Sequence, residues 1–299
     1  MATGLSVSNT SNLSDGQVIV VKSAKMAFEP AAPDPDLISN DRIGQGEKSW
    51  NLLTYARLSD ASALTEGVDL SQTQQLVTAS INLEPAEHGI IATVSKRLIR
   101  RQGDANVLGA TGTMLANSLR RIQAKDVITL YDGFGKSIVG ASNALDITYF
   151  RGANAYLMRD DKSGVTAATN GPAQPPFRAA LHIEQISDII LDISDTTPRG
   201  TTTGFTDDLL QRWWKTRDRL YGVEVFHSGN IEADSSDDAK GGLFAEDALY
   251  MVMANNADVT EETDESLRAI EIGIFQEWDE TERADDHGLE VYSDVAATV

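Results

Sequence analysis

The 299-residue chain carries 25 Lys and Arg against 45 Asp and Glu, a formal net charge of −20. Proteins that grip nucleic acid by its phosphates need a basic face, so this balance excludes that class of binding. A hydrophobic content of 41% supports a buried core, zero cysteines exclude disulfides and thiolate metal sites and suit a reducing cytoplasm, and no run of about 18 apolar residues offers a membrane-crossing helix.

Met1 to Gln17 is polar and lacks the basic end and apolar centre of a secretory signal. From Met1 to Gln45 little regular structure is expected, because Pro30, Pro33 and Pro35 break the backbone into extended pieces. From Val18 onward the segment reads as an arm docked on something else. Between Ser49 and Ser95 the pattern is that of strands: Trp50, Leu52 and Thr54 alternate with Asn51, Leu53 and Tyr55. Strand character continues from Asp60 to Ser80, with few large apolar groups to bury on either face. A lone two-stranded hairpin is marginal in water, so a neighbouring subunit is the simplest support. Pro85 and Gly89 interrupt before a short strand over Ile90 to Val94.

Leu108, Thr111, Leu115, Leu119 and Ile122 recur at three- and four-residue spacing and predict a helix with one apolar stripe. Asp104 would cap it, Arg120, Arg121 and Lys125 would complement its C-terminal dipole, and Gly133 and Gly135 would close it. Gly109 and Gly112 lower its propensity, so packing has to hold it. A compact α+β region follows. Ile183 to Ile193 predicts a helix with Ile186, Ile189, Ile190 and Ile193 on one face. Thr206 opens another that carries Leu209, Leu210, Trp213 and Leu220 inward and stops near Gly222. Strands are expected at Val223 to His227, Ala248 to Ala254, Leu267 to Phe275 and Leu289 to Val291. Acidic loops separate them, at Asp234 to Asp238 and at Glu277 to Asp286.

No set of residues makes a catalytic or metal site. Gly135-Lys136-Ser137 lacks the glycine five positions upstream that a phosphate-binding loop needs, since Leu130 stands there. His182-Ile183-Glu184 begins a zinc-deaminase signature whose cysteines a cysteine-free chain cannot supply. His88, His182, His227 and His287 have no metal-ligand spacing. Asp234, Asp237 and Asp238 lack the glycine and later glutamate of a calcium loop. Asp126, beside the apolar stripe, reads as a carboxylate paired with an arginine. The basic groups at Lys96 to Arg101, at Arg120 to Lys125 and at Arg212 to Arg219 read as solvated helix faces and subunit contacts.

Three segments in this order resemble the major capsid proteins of tailed bacteriophages. Ala63-Leu64-Thr65-Glu66-Gly67-Val68-Asp69 is similar to the Glu-Gly segment on that family's extended loop. Gly241-Gly242-Leu243-Phe244 with Ala248-Leu249 resembles its later Gly-Gly-x-Phe stretch, and His287-Gly288-Leu289-Glu290-Val291 its final strand. The resemblance implies an α+β capsid fold with an N-terminal arm over residues 1–45 and an extended hairpin loop over 46–94. A peripheral domain on the long helix would take 95–143 and 274–299, and an axial domain 144–273. It implies no catalysis and no cofactor. Many copies would form the pentamers and hexamers of an icosahedral shell around double-stranded DNA, assembled in the host cytoplasm, with scaffolding, decoration and portal proteins as further partners. Tyr55, Arg57, Leu64, Glu66, Val68, Leu70 and Leu76 are the candidate intersubunit contacts. Some relatives weld their shells through a lysine on the extended loop; no lysine lies between Lys48 and Lys96, so a shell without such crosslinks is expected. Two rivals share the bulk properties: a cargo-loaded nanocompartment shell of the encapsulin type, and a soluble acidic enzyme.

Overall fold

The computed structural model describes residues 30–44, 46–55, 58, 61, 63–67, 73–102, 106–160, 171–194, 219–254 and 256–296. Its spine is helix α3, Asn106–Tyr131, preceded by helix α1 (Asp34–Leu37) and helix α2 (Lys96–Gln102). Rising about 1.5 Å per residue, α3 is about 39 Å long. Leu115, Leu119, Ala124, Val127 and Tyr131 are its buried stripe. The helix runs further than its first apolar residues suggest, so Arg120, Arg121 and Lys125 sit in mid-helix and no basic residue occupies the last turn. Ile122, expected on the stripe, is 41% exposed, because the buried line passes through Gln123 and Ala124 instead. Asp104 lies outside the described residues. Gly133 does end the helix, donating its N–H to the Leu130 carbonyl at 3.0 Å.

One face of a five-stranded sheet covers this stripe. Its axis is the long strand β12, Ala269–Glu282. Along one edge β12 pairs antiparallel with β4 (Ala86–Ser95) from Ala269↔Ser95 to Trp278↔Ala86, and along the other with β11 (Asp258–Asp264). Its C-terminal half pairs with β10 (Leu249–Met253), whose far edge takes β1 (Ser39–Arg42) in parallel. Side chains alternate across a strand, so Ile272, Ile274 and Trp278 all face α3. The opposite face holds Phe275, whose ring lies across Gly89 and Gly273. A Cβ on either glycine would come within 2.3 or 2.7 Å of that ring. Gly89 therefore does not interrupt the strand; it admits Phe275.

A second sheet has the order β5-β13-β9-β6-β8-β7: Ser137–Val139, Gly288–Asp294, Asp238–Ala245, Phe177–Leu181, Val223–His227 and Arg219–Leu220. Helices α4 (Ile147–Leu157) and α5 (Ile183–Ser194) cover one face, burying Phe150, Leu157, Ile186 and Ile189 against Leu181, Leu243, Leu289 and Val291. Asp146 caps α4 by accepting the N–H of Thr148. Buried Gln185 shares its amide group among the Ala239 carbonyl, the Val291 carbonyl and Ser293 at 2.9–3.1 Å. Its own oxygen accepts from the N–H of His182 at 3.0 Å. A buried amide is tolerated only when satisfied in this way.

The other face of the second sheet meets the C-terminal end of α3. Tyr131 stacks on Phe244 with ring centroids 5.4 Å apart, and Ala180 and Phe134 join the same cluster as Ile272 and Trp278. The two sheets thus share one core through the helix. The arm closes this core. Leu37 and Ile38 pack into it, and buried Asp34 accepts hydrogen bonds from Tyr131 at 2.9 Å and Ser228 at 2.6 Å. Burial raises the Asp34 pKa, although both hydroxyls and Arg120 oppose the shift.

Several expectations change. The arm is more regular than its prolines suggest, since α1 and β1 form once β10 offers a pairing edge. The expected strand over Asp60 to Ser80 begins only at Thr78; residues 63–67 and 73–77 are not strand, having no core to pair over. Glu277 to Glu282 continues β12 instead of forming an acidic loop, because β10 pairs with it. Leu220 is buried as expected but belongs to a strand, and the expected helix ahead of it lies outside the described residues. Strands β10 and β11 share the sheet of α3 while β13 joins the second sheet, so sheet membership crosses the sequence boundary at residues 273 and 274.

Trp278 is fully buried and donates its indole N–H to Asp126 at 3.1 Å. Trp278→Ala should therefore lower unfolding stability by about 3–5 kcal/mol, read as a shift in the urea midpoint. A loss below about 1 kcal/mol would place the shared core elsewhere.

Candidate functional site: an exposed hairpin and the pocket at its root

Strands β2 (Trp50–Tyr55) and β3 (Thr78–Leu83) form a hairpin that leaves the body at the edge of the first sheet. In its register Trp50 faces Leu83 and Leu52 faces Ile81. These four side chains share one face and pack on Ile43, Tyr250 and Val252. Asp279 accepts the Glu84 N–H at 2.8 Å, and Lys48 pairs with Glu84 at 3.5 Å. The root is thus anchored within the chain.

Beyond the root the cover stops. Leu53, Tyr55, Leu58, Leu64, Leu76 and Val77 are all more than half exposed, and Leu64 reaches 74%. Covering one such side chain fully contributes about 1.5–3 kcal/mol. An apolar patch held out of the body in this way marks an interaction surface. Of the residues singled out from sequence, Tyr55, Leu64, Glu66 and Leu76 are exposed on this hairpin. Arg57, Val68 and Leu70 lie outside the described residues. Sequence reasoning missed Leu53, Leu58 and Val77. Strand alternation carried a signal for Leu53: adjacent Leu52 and Leu53 must point to opposite faces, and only Leu52 has a core to enter.

A pocket of about 290 Å³ lies at the outer side of the root. Leu53, Thr54 and Tyr55 form one wall, and Asp247, Arg283, Ala284 and His287 the other. His287 is buried, with Nδ1 2.9 Å from Asp247 and Nε2 3.2 Å from the Gly171 carbonyl. Both neighbours are acceptors, so both ring nitrogens are suited to donate, which is the imidazolium form. Burial alone lowers the His287 pKa, but Asp247, Asp286 and the Gly171 carbonyl together raise it above its ordinary value. Nearby on β12, burial with the charges of Asp126 and Asp279 pushes Glu280 up to about 7. Burial with Asp285 does the same to Glu282.

The remaining candidates have structural roles. The Gly135 N–H, which a phosphate loop would aim at its ligand, is held by Asp285. His182 accepts the Glu184 N–H at 3.3 Å, and His88 stacks on Trp278 with centroids 3.9 Å apart. Asp126 accepts from Trp278, and among the described residues no arginine pairs with it. Asp234 accepts the N–H groups of Ser236 and Asp238 in a turn that starts β9. Among the described residues no group of His, Asp and Glu is arranged to hold a metal ion. No described helix is long and apolar enough to cross a membrane.

No protein-family model and no curated protein matches the chain. Solved structures do. The head structure of Helicobacter pylori bacteriophage KHP40 superposes with a TM-score of 0.72, covering 99% of this chain and 100% of the other at 11% identity. The chain has the tailed-phage capsid fold. A structure from Mycobacterium phage Che8 matches over 90% of this chain and 94% of the other, with TM-score 0.66 and 13% identity. The capsid of a native GTA particle matches over 95% and 96%, with TM-score 0.63 and 11% identity. In the capsid fold, helix α3 is the spine and the hairpin of β2 and β3 is the extended loop.

His287, Glu280 and Glu282 all hold protons more tightly than in an unfolded chain. Groups raised in this way favour the folded state below their unfolded pKa and lose that contribution as pH rises through the folded value. The unfolding midpoint of the dilute subunit should therefore fall between about pH 5.5 and pH 8, and the pair Glu280→Gln and Glu282→Gln should flatten the slope. A midpoint that rises across this window contradicts the assignment.

Proposed function

We propose that the chain is the shell-forming protein of a phage capsid, many copies of which assemble into pentamers and hexamers around packaged double-stranded DNA. The observation that carries this reading is a hairpin with a buried root and an uncovered apolar outer half, in a fold matched along nearly the whole chain by phage capsid structures. A lone subunit leaves that surface in water; a neighbour would cover it. The protein acts in the virion, after assembly in the host cytoplasm, and its work is mechanical, not catalytic. Scaffolding, decoration and portal proteins belong to the same reading.

The parts are assigned by sheet membership. The arm is residues 1–45, and the extended loop begins at residue 46 and ends at Leu83, since β4 already belongs to the body. Helix α3 with the five-stranded sheet is the peripheral domain, and the six-stranded sheet with α4 and α5 is the axial domain. Tyr55, Arg57, Leu64, Glu66, Val68, Leu70 and Leu76 are proposed intersubunit contacts.

The net charge of −20 fits a container that holds DNA by confinement and not by adhesion. Its cost is repulsion between subunits. Strand β11, with Asp258, Glu261 and Glu262 exposed along one edge, supports this reading. Salt screens such charges, with a Debye length of about 10 Å at 0.1 M and about 30 Å at 0.01 M.

The purified protein should sediment as closed particles that contain DNA when made during infection, and empty shells should form better near 0.1 M salt than near 0.01 M. Negative-stain microscopy decides the matter. A chain that stays monomeric at every concentration would end the shell reading, and particles filled with an enzyme would point to a nanocompartment. Mature particles should run as single chains on a denaturing gel, because the loop has no lysine beyond Lys48 at its root. Leu64→Asp combined with Leu76→Asp should abolish particles while leaving the subunit's unfolding midpoint unchanged, since neither side chain touches the core. A loss of subunit stability would show that the hairpin packs on its own body.

A further inference from the structure

We infer that the open outer edge of β11 is a docking strip for a basic, extended segment of another protein, which adds to the sheet as one more strand. This goes beyond the shell reading, which leaves that edge without a partner. Strand β4 holds one side of β12 from Ala269 to Trp278, so β10 and β11 follow one another along the other side. Over β10 the outer edge is already filled. There β1 pairs in parallel, and Ile43 donates its N–H to the Met253 carbonyl at 3.0 Å. Over β11 the edge is open among the described residues: β12 is its one strand partner, and Asp258 to Thr263 are all exposed. The strand contains no proline and no glycine. The outward N–H and C=O groups of such a regular edge are a template for another strand.

The side chains decide which strand fits. Alternation puts Asp258, Thr260 and Glu262 on the face of Phe275, and Val259 and Glu261 on the face of α3. Asp258, Glu261 and Glu262 have no ion pair among the described residues, and Lys96, near the turn that follows, is paired with Glu265 at 2.9 Å. A second β11 is a poor occupant. Parallel pairing in register would set each acid beside its own copy, and antiparallel pairing about Glu261 would set Asp258 against Asp264. Like charges directly opposite destabilise a strand pair. Lys or Arg opposite Glu261 and Glu262 reverses the sign of that interaction. A β-branched residue opposite Val259, which is 61% exposed, covers its apolar surface. The acids therefore turn away copies of this edge and admit a basic strand.

The test uses the dilute full-length chain near 0.1 M salt and the fluorescent peptide Thr-Thr-Lys-Arg-Thr-Val-Lys-Thr, read by anisotropy. In antiparallel register its Lys-Arg pair faces Glu262 and Glu261, its valine faces Val259, and its second lysine faces Asp258. The peptide should bind and slow amide hydrogen exchange over residues 258–264. The same peptide N-methylated at every residue keeps its charges and loses its main-chain donors, so it should bind at least about tenfold more weakly. Glu261→Lys combined with Glu262→Lys should weaken binding by a similar factor, while Glu66→Lys, on the hairpin, should leave it unchanged. The methylated peptide decides on the wild-type chain alone, should the double variant fail to fold. No binding to the full chain, equal binding of the methylated peptide, or exchange protection elsewhere would overturn the proposal. So would loss of binding once the chain assembles into particles, which would put a second copy on the edge.

Discussion

Helix α3 has to bury one apolar stripe, and neither sheet is wide enough at the right place to cover it alone. The five-stranded sheet supplies Ile272, Ile274 and Trp278, while the six-stranded sheet supplies Ala180 and Phe244 at the helix end. Lys240 fixes that end by bonding Asp132 just past the last turn, with Glu290 3.3 Å away. One core therefore spans both sheets. Gly242 and Gly288 allow this closeness, since a Cβ on either would run into Tyr131 or Phe134. Both glycines lie in the segments that resemble phage capsid proteins, which gives that resemblance a packing reason.

A body welded through one helix is rigid where α3 passes and unsupported where it does not. The described part of the arm, from residue 30 on, reaches the core through Asp34, Leu37 and Ile38. The hairpin is different. Its root rests on Ile43, Tyr250 and Val252, a separate small cluster, and the large apolar side chains described beyond it are exposed. A molecule built this way has a well-packed body and a hairpin whose described apolar side chains stay exposed.

The charge distribution works with the same geometry. Acids on exposed edges such as β11 repel softly, because salt screens them. Two half-buried acids of β12, Glu280 and Glu282, are held partly protonated near neutrality by burial and by neighbouring carboxylates. Stability of the folded chain and repulsion between its exposed edges therefore respond to pH and salt through different groups.

The sequence by itself determined the periodic elements: the stripe of α3 through Leu115 and Leu119, the isoleucine face of α5, the strands at Val223 to His227 and within Ala248 to Ala254, and a hairpin poor in core residues. Each of these is local, because hydrophobic period depends only on spacing along the chain. Tertiary structure decided the rest. Glu277 to Glu282 is strand and not loop because β10 pairs with it, and the proline-rich arm contains β1 because β10 has a free edge. Gly89 is a seat for Phe275 and not a break. The pocket joins Leu53 and Tyr55 to Arg283 and His287, more than two hundred residues away along the chain. Pairing partners and concave surfaces depend on contacts distant in sequence, and no local pattern encodes them.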